Sequence, residues 1–247
     1  MKKKVAIFLR GGVSKIQGKL GTVQQENQYV NFECTRRSIQ KHIIDANPEY
    51  EFDFFFHSWN IDLKEKLLDL YSPKSFLFEN NADFKTEIES KLWNGGSFAQ
   101  VSQFLSYKKA CELIAAYSAK TSTQYDVIIG YRPDVMLWKN INLANYDLSK
   151  VTVNSWLDCL GDFHIIFSPT YINRMIGVYD RIGEIVPEPH HIIVKCFSDV
   201  IVMDGILAGE HQEITRKLYK AVLDNKFNKD NLNDYGITLE EIERYGE

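Results

Sequence analysis

The sequence predicts an α/β fold with a central, mostly parallel mixed sheet flanked by helices. Three observations lead there. Short β-rich runs alternate with helix-like stretches along the amino-terminal part of the chain, the order that builds parallel sheets. One run, Val127-Ile128-Ile129, is continuous, apolar and β-branched, as suits a strand covered on both faces. That run ends at a charged corner, Arg132-Pro133-Asp134, before an extended segment resumes to Trp138. Pro133 removes a backbone donor and keeps Arg132 extended, so the strand must break there. One guanidinium and one carboxylate are thereby displayed at a strand end, where open α/β sheets place their ligands.

The first strand is Val5 to Leu9, and it runs into Arg10-Gly11-Gly12, where two glycines let the backbone bend or approach a ligand. The spacing fits neither a P-loop nor the dinucleotide glycine pattern. Residues 14–23 read as a loop and residues 24–47 as a helix that Asn47-Pro48 ends. Phe52 to Trp59 is the second strand, a short helix runs from Asn60 to Leu70, and Ser75 to Phe78 is a third strand. His57, at a strand end beside Trp59, reads as a packing and hydrogen-bonding residue before a ligand or base.

Residues 97–120 form the clearest helix. Ala110, Leu113, Ile114 and Tyr117 make one stripe at helical spacing, which passes backwards through Ser106 and Gln103. On that stripe the first half of the helix presents polar groups that need partners. The alternative stripe runs through Phe98, Val101 and Leu105 and leaves Gln103 in solvent.

After the corner, Val151 to Val153 is extended and Ile165 to Phe167 is a buried strand ending at Ser168-Pro169. Asp158, Asp162 and His164 precede it closely and suit a general base or a metal ligand, although Gly161-Asp162 is also an ordinary turn pair. A helix follows from Tyr171 to Ile182, capped by Ser168 or Thr170. Glu188 lies between two prolines, restricted enough to be aimed or else opening the short helix Ile192–Phe197. Val200 to Met203 is the last strand, and a charged helical extension begins at about residue 210.

With 247 residues the chain can bury a sizeable core, and no repeat or composition break divides it. A single domain over residues 1–247 is expected. The net charge of −4 argues against nucleic acid as partner. No apolar run approaches bilayer length. The lysine-rich start does not read as a signal peptide, because Arg10-Gly11-Gly12 interrupts a short apolar run, and a chain that is not exported is expected. The expected location is cytoplasmic, with a peripheral place at a membrane compatible. Four scattered cysteines without a Cys-x-x-Cys pair read as buried thiols.

Taken in order, Leu9-Arg10-Gly11-Gly12, Phe55-Phe56-His57-Ser58-Trp59, Ser102 to Ala110, Tyr125 to Ile128 with Arg132-Pro133-Asp134, Gly161-Asp162-Phe163 and Pro187-Glu188 form a familiar set. Together they resemble the GT-A-fold, Rossmann-like glycosyltransferases of bacterial surface-polysaccharide loci and of large DNA viruses. The resemblance covers about the first two hundred residues, through short motifs whose order and spacing carry it. It implies a nucleoside-diphosphate sugar as donor, with the nucleotide near Arg10, Gly11 and Gly12. Gln103, Ser106 and Lys109 would line the donor cleft, and Arg132 and Asp134 would manage the diphosphate. The family's Asp-x-Asp metal motif falls on Arg132-Pro133-Asp134, where Arg replaces the first Asp. Asp134 would then hold Mn²⁺ or Mg²⁺, or Arg132 would pair directly with phosphate oxygens. The acceptor would be a glycan or glycolipid hydroxyl, in polysaccharide biosynthesis. An inverting enzyme needs a base, with Asp162 first and Asp158 and Glu188 behind it. A sugar nucleotidyltransferase or a non-catalytic α/β binding module are the alternatives.

Overall fold

In a computed structural model, the described residues are 2–13, 29, 32–93, 96–137, 140–156, 159–184, 191–204 and 208–210. Their contacts form two compact units. The first takes in Met1–Gly12, Pro48–Arg132 and Leu143–Gly205, and the second Val13–Asn47, Pro133–Asn142 and Ile206–Glu247. In chain order the elements are β1 (Lys3–Gly11), α1 (Phe32–Ile39), β2 (Tyr50–Ser58), α2 (Lys64–Tyr71), β3 (Ser75–Phe78), α3 (Lys85–Ser90), α4 (Phe98–Thr121), β4 (Val127–Tyr131) and β5 (Val135–Leu137). Then come β6 (Val151–Trp156), β7 (Cys159–Phe167), α5 (Ile172–Asp180), α6 (His191–Cys196), β8 (Ile201–Asp204) and β9 (Ala208–Glu210).

The first unit is built on a seven-stranded sheet in the order β3-β2-β1-β4-β7-β6-β8. The neighbours from β3 to β4 are parallel, β4–β7 and β7–β6 are antiparallel, and β8 runs parallel to β6. The expected mixed sheet is present, with its parallel half formed by the strands that alternate with helices. The chain winds outward from β1 through β2 to β3, then returns to β4 on the other side of β1. The gap between β1 and β4 is therefore a topological switch point, where such sheets bind ligands.

Burial explains why these segments became strands. Val5 to Leu9 and Val127 to Ile129 are fully buried, which a strand covered on both faces requires. Ala6, Phe8 and Phe55 join the core beneath α4, whereas Phe54 and Phe56 meet Tyr71 of α2, each with ring centroids 5.4 Å apart. Gly130 is forced by its neighbours in register, Phe8 and Ile165. A Cβ there would lie 2.3 Å from Phe8 Cζ and 2.6 Å from Ile165 Cγ2.

Helix α4 starts at a capping box, in which Ser97 Oγ accepts from Gln100 N–H and the Gln100 side chain accepts from Ser97 N–H. Its buried arc is wider than either single stripe. Val101 and Leu105 are buried along with Ser106, Ala110 and Ile114, because α4 packs on the sheet and also on α5. Gln103 is half-buried.

In the second unit, β5 and β9 pair antiparallel. Helix α1 continues into a wider π turn over Gln40–Ile44. Ser38 Oγ accepts from Leu137 N–H at 2.9 Å, and Asn47 Nδ2 donates to Ile43 O and Ile141 O, both at 2.6 Å. These bonds satisfy a buried amide three residues past the end of the π turn at Ile44. Of the expected helix over 24–47, the described part is helical over Phe32–Ile44, Tyr29 makes an isolated β-bridge, and residues 24–28 and 30–31 lie outside the described residues. Neither the 14–23 loop nor the extension beyond residue 210 lies within the described residues.

Candidate active site

Arg10 ends the core of β1 and sits level with His57 on β2. One strand over, Leu9 pairs with Tyr131 at the end of β4, so Arg132 follows at the level of Arg10. Two arginines therefore flank the switch point on the carboxyl edge of the sheet. On the far side of β4, Tyr131 pairs with His164 of β7 in antiparallel register. The residues that precede His164 run on past the end of β4, and Asp162 is placed on that edge by its position in β7.

Arg10 is 3% exposed, and its guanidinium carbon lies 4.0 Å from the centroid of the Tyr107 ring. Tyr107 is itself wedged against Phe8 and Phe104. A buried cation over a ring face is stabilised by about 2 kcal/mol where water is excluded. The ring thus fixes the direction of the arginine on this edge of the sheet.

The turn after Arg10 is tightly held. Gly11 has φ of +86°, in the left-handed region where a side chain would be strained. Its N–H donates to Ser106 Oγ at 2.7 Å, and its carbonyl accepts from Trp59 N–H at 3.3 Å. Gly12 is exposed, and a Cβ there would lie 3.1 Å from Asn60 Oδ1. The backbone angle makes a glycine necessary at Gly11, and at Gly12 a side chain would only have to displace the Asn60 amide slightly.

Beneath the turn lies a chain of polar side chains. Ser106 and His57 are both 0% exposed, and Ser106 Oγ lies 2.6 Å from His57 Nδ1. His57 Nε2 lies 3.1 Å from Glu79 Oε2, which also takes Lys109 Nζ at 2.8 Å. Lys109 lies over the Phe84 ring, 4.2 Å from its centroid. Burial drives the His57 pKa down from 6.5 to about 4, and the Glu79 hydrogen bond and charge only partly oppose this. The ring is neutral at pH 7. Ser102 Oγ, one turn back on α4, donates to Asn81 Oδ1 at 3.0 Å.

Of the residues singled out in the sequence, Arg10, Gly11, Gly12, Ser106, Lys109 and Arg132 gather at this edge of the first unit. Gln103 lies on the same helix and makes none of these bonds. Asp134 belongs to the second unit and is 2% exposed. Asp162 is described by its place on β7 alone, and Asp158 and Glu188 lie outside the described residues. His164 is buried, and its N–H donates to Asn154 Oδ1 at 3.2 Å. Glu79 and Tyr107 were not singled out from the sequence, and only the tertiary contacts give them a place. Among the described residues no group of three or more His, Cys, Asp and Glu is placed to hold a metal ion. The Asp134 carboxylate is a hard oxygen donor, the type that Mn²⁺ and Mg²⁺ take.

Solved structures of similar fold include glycosyltransferases and nucleotidyltransferases. A protein described as a nucleotide-diphospho-sugar transferase, from Desulfovibrio desulfuricans G20, has a TM-score of 0.50 at 14% identity, covering 99% of this chain and 99% of that one. The galactosyltransferase LgtC, solved with donor and acceptor sugar analogues, has a TM-score of 0.45 at 11% identity over 96% of this chain and 84% of its own. A 4-diphosphocytidyl-2C-methyl-D-erythritol synthase from Anaerococcus prevotii DSM 20548 has a TM-score of 0.44 at 9% identity, with 83% and 88% covered. No protein-family model and no curated protein matches the chain. The fold is α/β and GT-A-like, shared with the first of these structures. No helix among the described residues is long and apolar enough to cross a membrane.

Proposed function

We propose that the chain is a glycosyltransferase that moves a sugar from a nucleoside-diphosphate sugar to a glycan or glycolipid hydroxyl. One observation carries this reading. Arg10 and Arg132 stand at the same level on either side of the β1–β4 switch point, beside a glycine turn held rigid from below. A planar guanidinium matches phosphate oxygens with two parallel donors. Two of them on rigid strands stabilise the negative charge that builds on a departing diphosphate.

In the transfer, the acceptor oxygen attacks the anomeric carbon. The bond from that carbon to the phosphate oxygen breaks, and the diphosphate leaves with the electron pair. In an inverting reaction the proton of the acceptor hydroxyl passes to a carboxylate, and Asp162 holds that role, with Asp158 and Glu188 as the next candidates. Arg10, Gly11 and Gly12 meet the nucleotide, and Arg132 meets the diphosphate. Gln103 and Lys109 line the donor side from α4. Asp134 is the residue that would hold Mn²⁺ or Mg²⁺, which supplies Lewis-acid stabilisation of phosphate charge when bound.

Calorimetric titration with UDP and with GDP, each with and without Mn²⁺, tests the reading. Saturable binding of one nucleoside diphosphate supports it, and absence of binding to either overturns it. Release of pyrophosphate from a nucleoside triphosphate and a sugar phosphate would identify nucleotidyl transfer instead.

A further inference from the structure

The chain Gly11–Ser106–His57–Glu79–Lys109, fully buried at Ser106 and His57, has only one consistent placement of its protons when the His57 ring is neutral. A carboxylate only accepts hydrogen bonds, so the nitrogen that faces Glu79 must carry a proton. That nitrogen is His57 Nε2, 3.1 Å from Glu79 Oε2. A neutral imidazole carries one proton, so Nδ1 is left as an acceptor. The Ser106 hydroxyl, 2.6 Å away, then donates to Nδ1. Its oxygen is left to accept the Gly11 N–H at 2.7 Å. Lys109 Nζ also reaches Glu79 Oε2, at 2.8 Å, and places a cation beside the carboxylate that ends the chain. Trp59 closes the ring from the side, edge-on with centroids 4.5 Å apart.

We propose that Glu79, His57 and Ser106 are positioning residues for nucleotide binding, acting through the Gly11 amide. The carboxylate selects the imidazole tautomer, the tautomer orients the hydroxyl, and the hydroxyl pins Gly11. Pinned there, the turn presents the exposed Gly12 and the Arg10 side chain to the ligand. None of the three touches the nucleotide. The proposal rests on the nucleotide-sugar reading above and adds how that site is kept in shape. Burial serves the middle of it as well, because Ser106 and His57, both closed to water, cannot exchange each other for solvent.

Two measurements test it. The first is the nitrogen-15 NMR spectrum of the His57 ring in the wild-type chain at pH 7. The proposal requires a protonated Nε2 and a bare Nδ1, and a protonated Nδ1 overturns it whatever any variant does. The second is a double-mutant cycle on UDP and GDP affinity with Glu79→Gln and Ser106→Ala. Glutamine can present either its oxygen or its amide group to His57, so it no longer selects a tautomer. Each single variant should weaken binding about tenfold. The double variant should be no weaker than either, because links of one chain are not additive. Additive losses, or unchanged affinity in both variants, overturn the relay while leaving the nucleotide reading intact. A wild-type chain that binds neither nucleotide overturns the reading and the relay together, and the cycle separates the two failures.

Discussion

The Arg10 guanidinium lies 4.0 Å above the Tyr107 ring, on the carboxyl edge of the central strand. The strand supplies the position and the helix supplies the platform. Replacing Tyr107 with Leu removes the platform but keeps an apolar filler. Nucleoside diphosphate affinity should fall about five- to thirtyfold, the loss of roughly 1–2 kcal/mol of cation–π stabilisation. Tyr107→Phe keeps the ring and should lose less. Titration calorimetry on both variants checks this, and equal losses would show that the ring face is irrelevant.

Arg132 should be irreplaceable by lysine. Lysine is a point charge and cannot offer two parallel donors to one phosphate. Arg132→Lys should therefore weaken diphosphate binding almost as much as Arg132→Ala, while binding of the bare nucleoside is unchanged in both. Competition titrations with nucleoside, monophosphate and diphosphate read this directly.

Asp134→Ala should abolish sugar transfer and nucleotide-sugar hydrolysis while circular dichroism and thermal unfolding remain those of a folded chain. Near-normal turnover in that variant removes Asp134 from the mechanism. Asp162→Asn should abolish transfer without altering donor affinity, since the base acts on the acceptor.

Stability should depend on pH through His57. The folded chain holds its pKa at about 4, below the unfolded value of 6.5. The unfolded chain therefore binds more protons between these values, and stability rises with pH across that window. The contribution is complete above pH 6.5 and is lost as pH falls towards 4, by an amount of order 3 kcal/mol at most. Urea unfolding of wild type and His57→Gln at pH 4.5 and 7.5 should show a smaller pH-dependent loss in the variant. An identical loss would assign the dependence to other groups.

Gly130→Ala should destabilise the sheet by about 1–3 kcal/mol, the usual range for overpacking, because its Cβ would meet Phe8 Cζ at 2.3 Å. Denaturant midpoints at equal slope measure it.

Local chemistry made much of this architecture legible. Ser75–Phe78 is a strand with the bounds its composition implied, and the Arg132-Pro133-Asp134 corner does separate two extended segments. Pro133 and the β-branched run act over neighbouring residues, so the sequence displays them. The hydrogen-bonding role of His57 was readable from its place at a strand end beside Trp59. What could not be read were its partners, Ser106 and Glu79, which lie 49 and 22 residues away. The Gly11–Ser106 bond spans 95 residues. Such pairs follow from the order of strands in the sheet, which sets who sits beneath whom. The buried arc of α4 was underestimated for a similar reason, since α5 covers a side that a sheet-facing stripe leaves to solvent.

The most direct measurement is a crystal structure of the chain with the nucleoside diphosphate that binds it. The account predicts the diphosphate at the β1–β4 edge, with phosphate oxygens within about 3 Å of Arg10 or Arg132 nitrogens and the nucleotide against Gly11 and Gly12. A diphosphate bound elsewhere, or at that edge but turned away from both arginines, would contradict it.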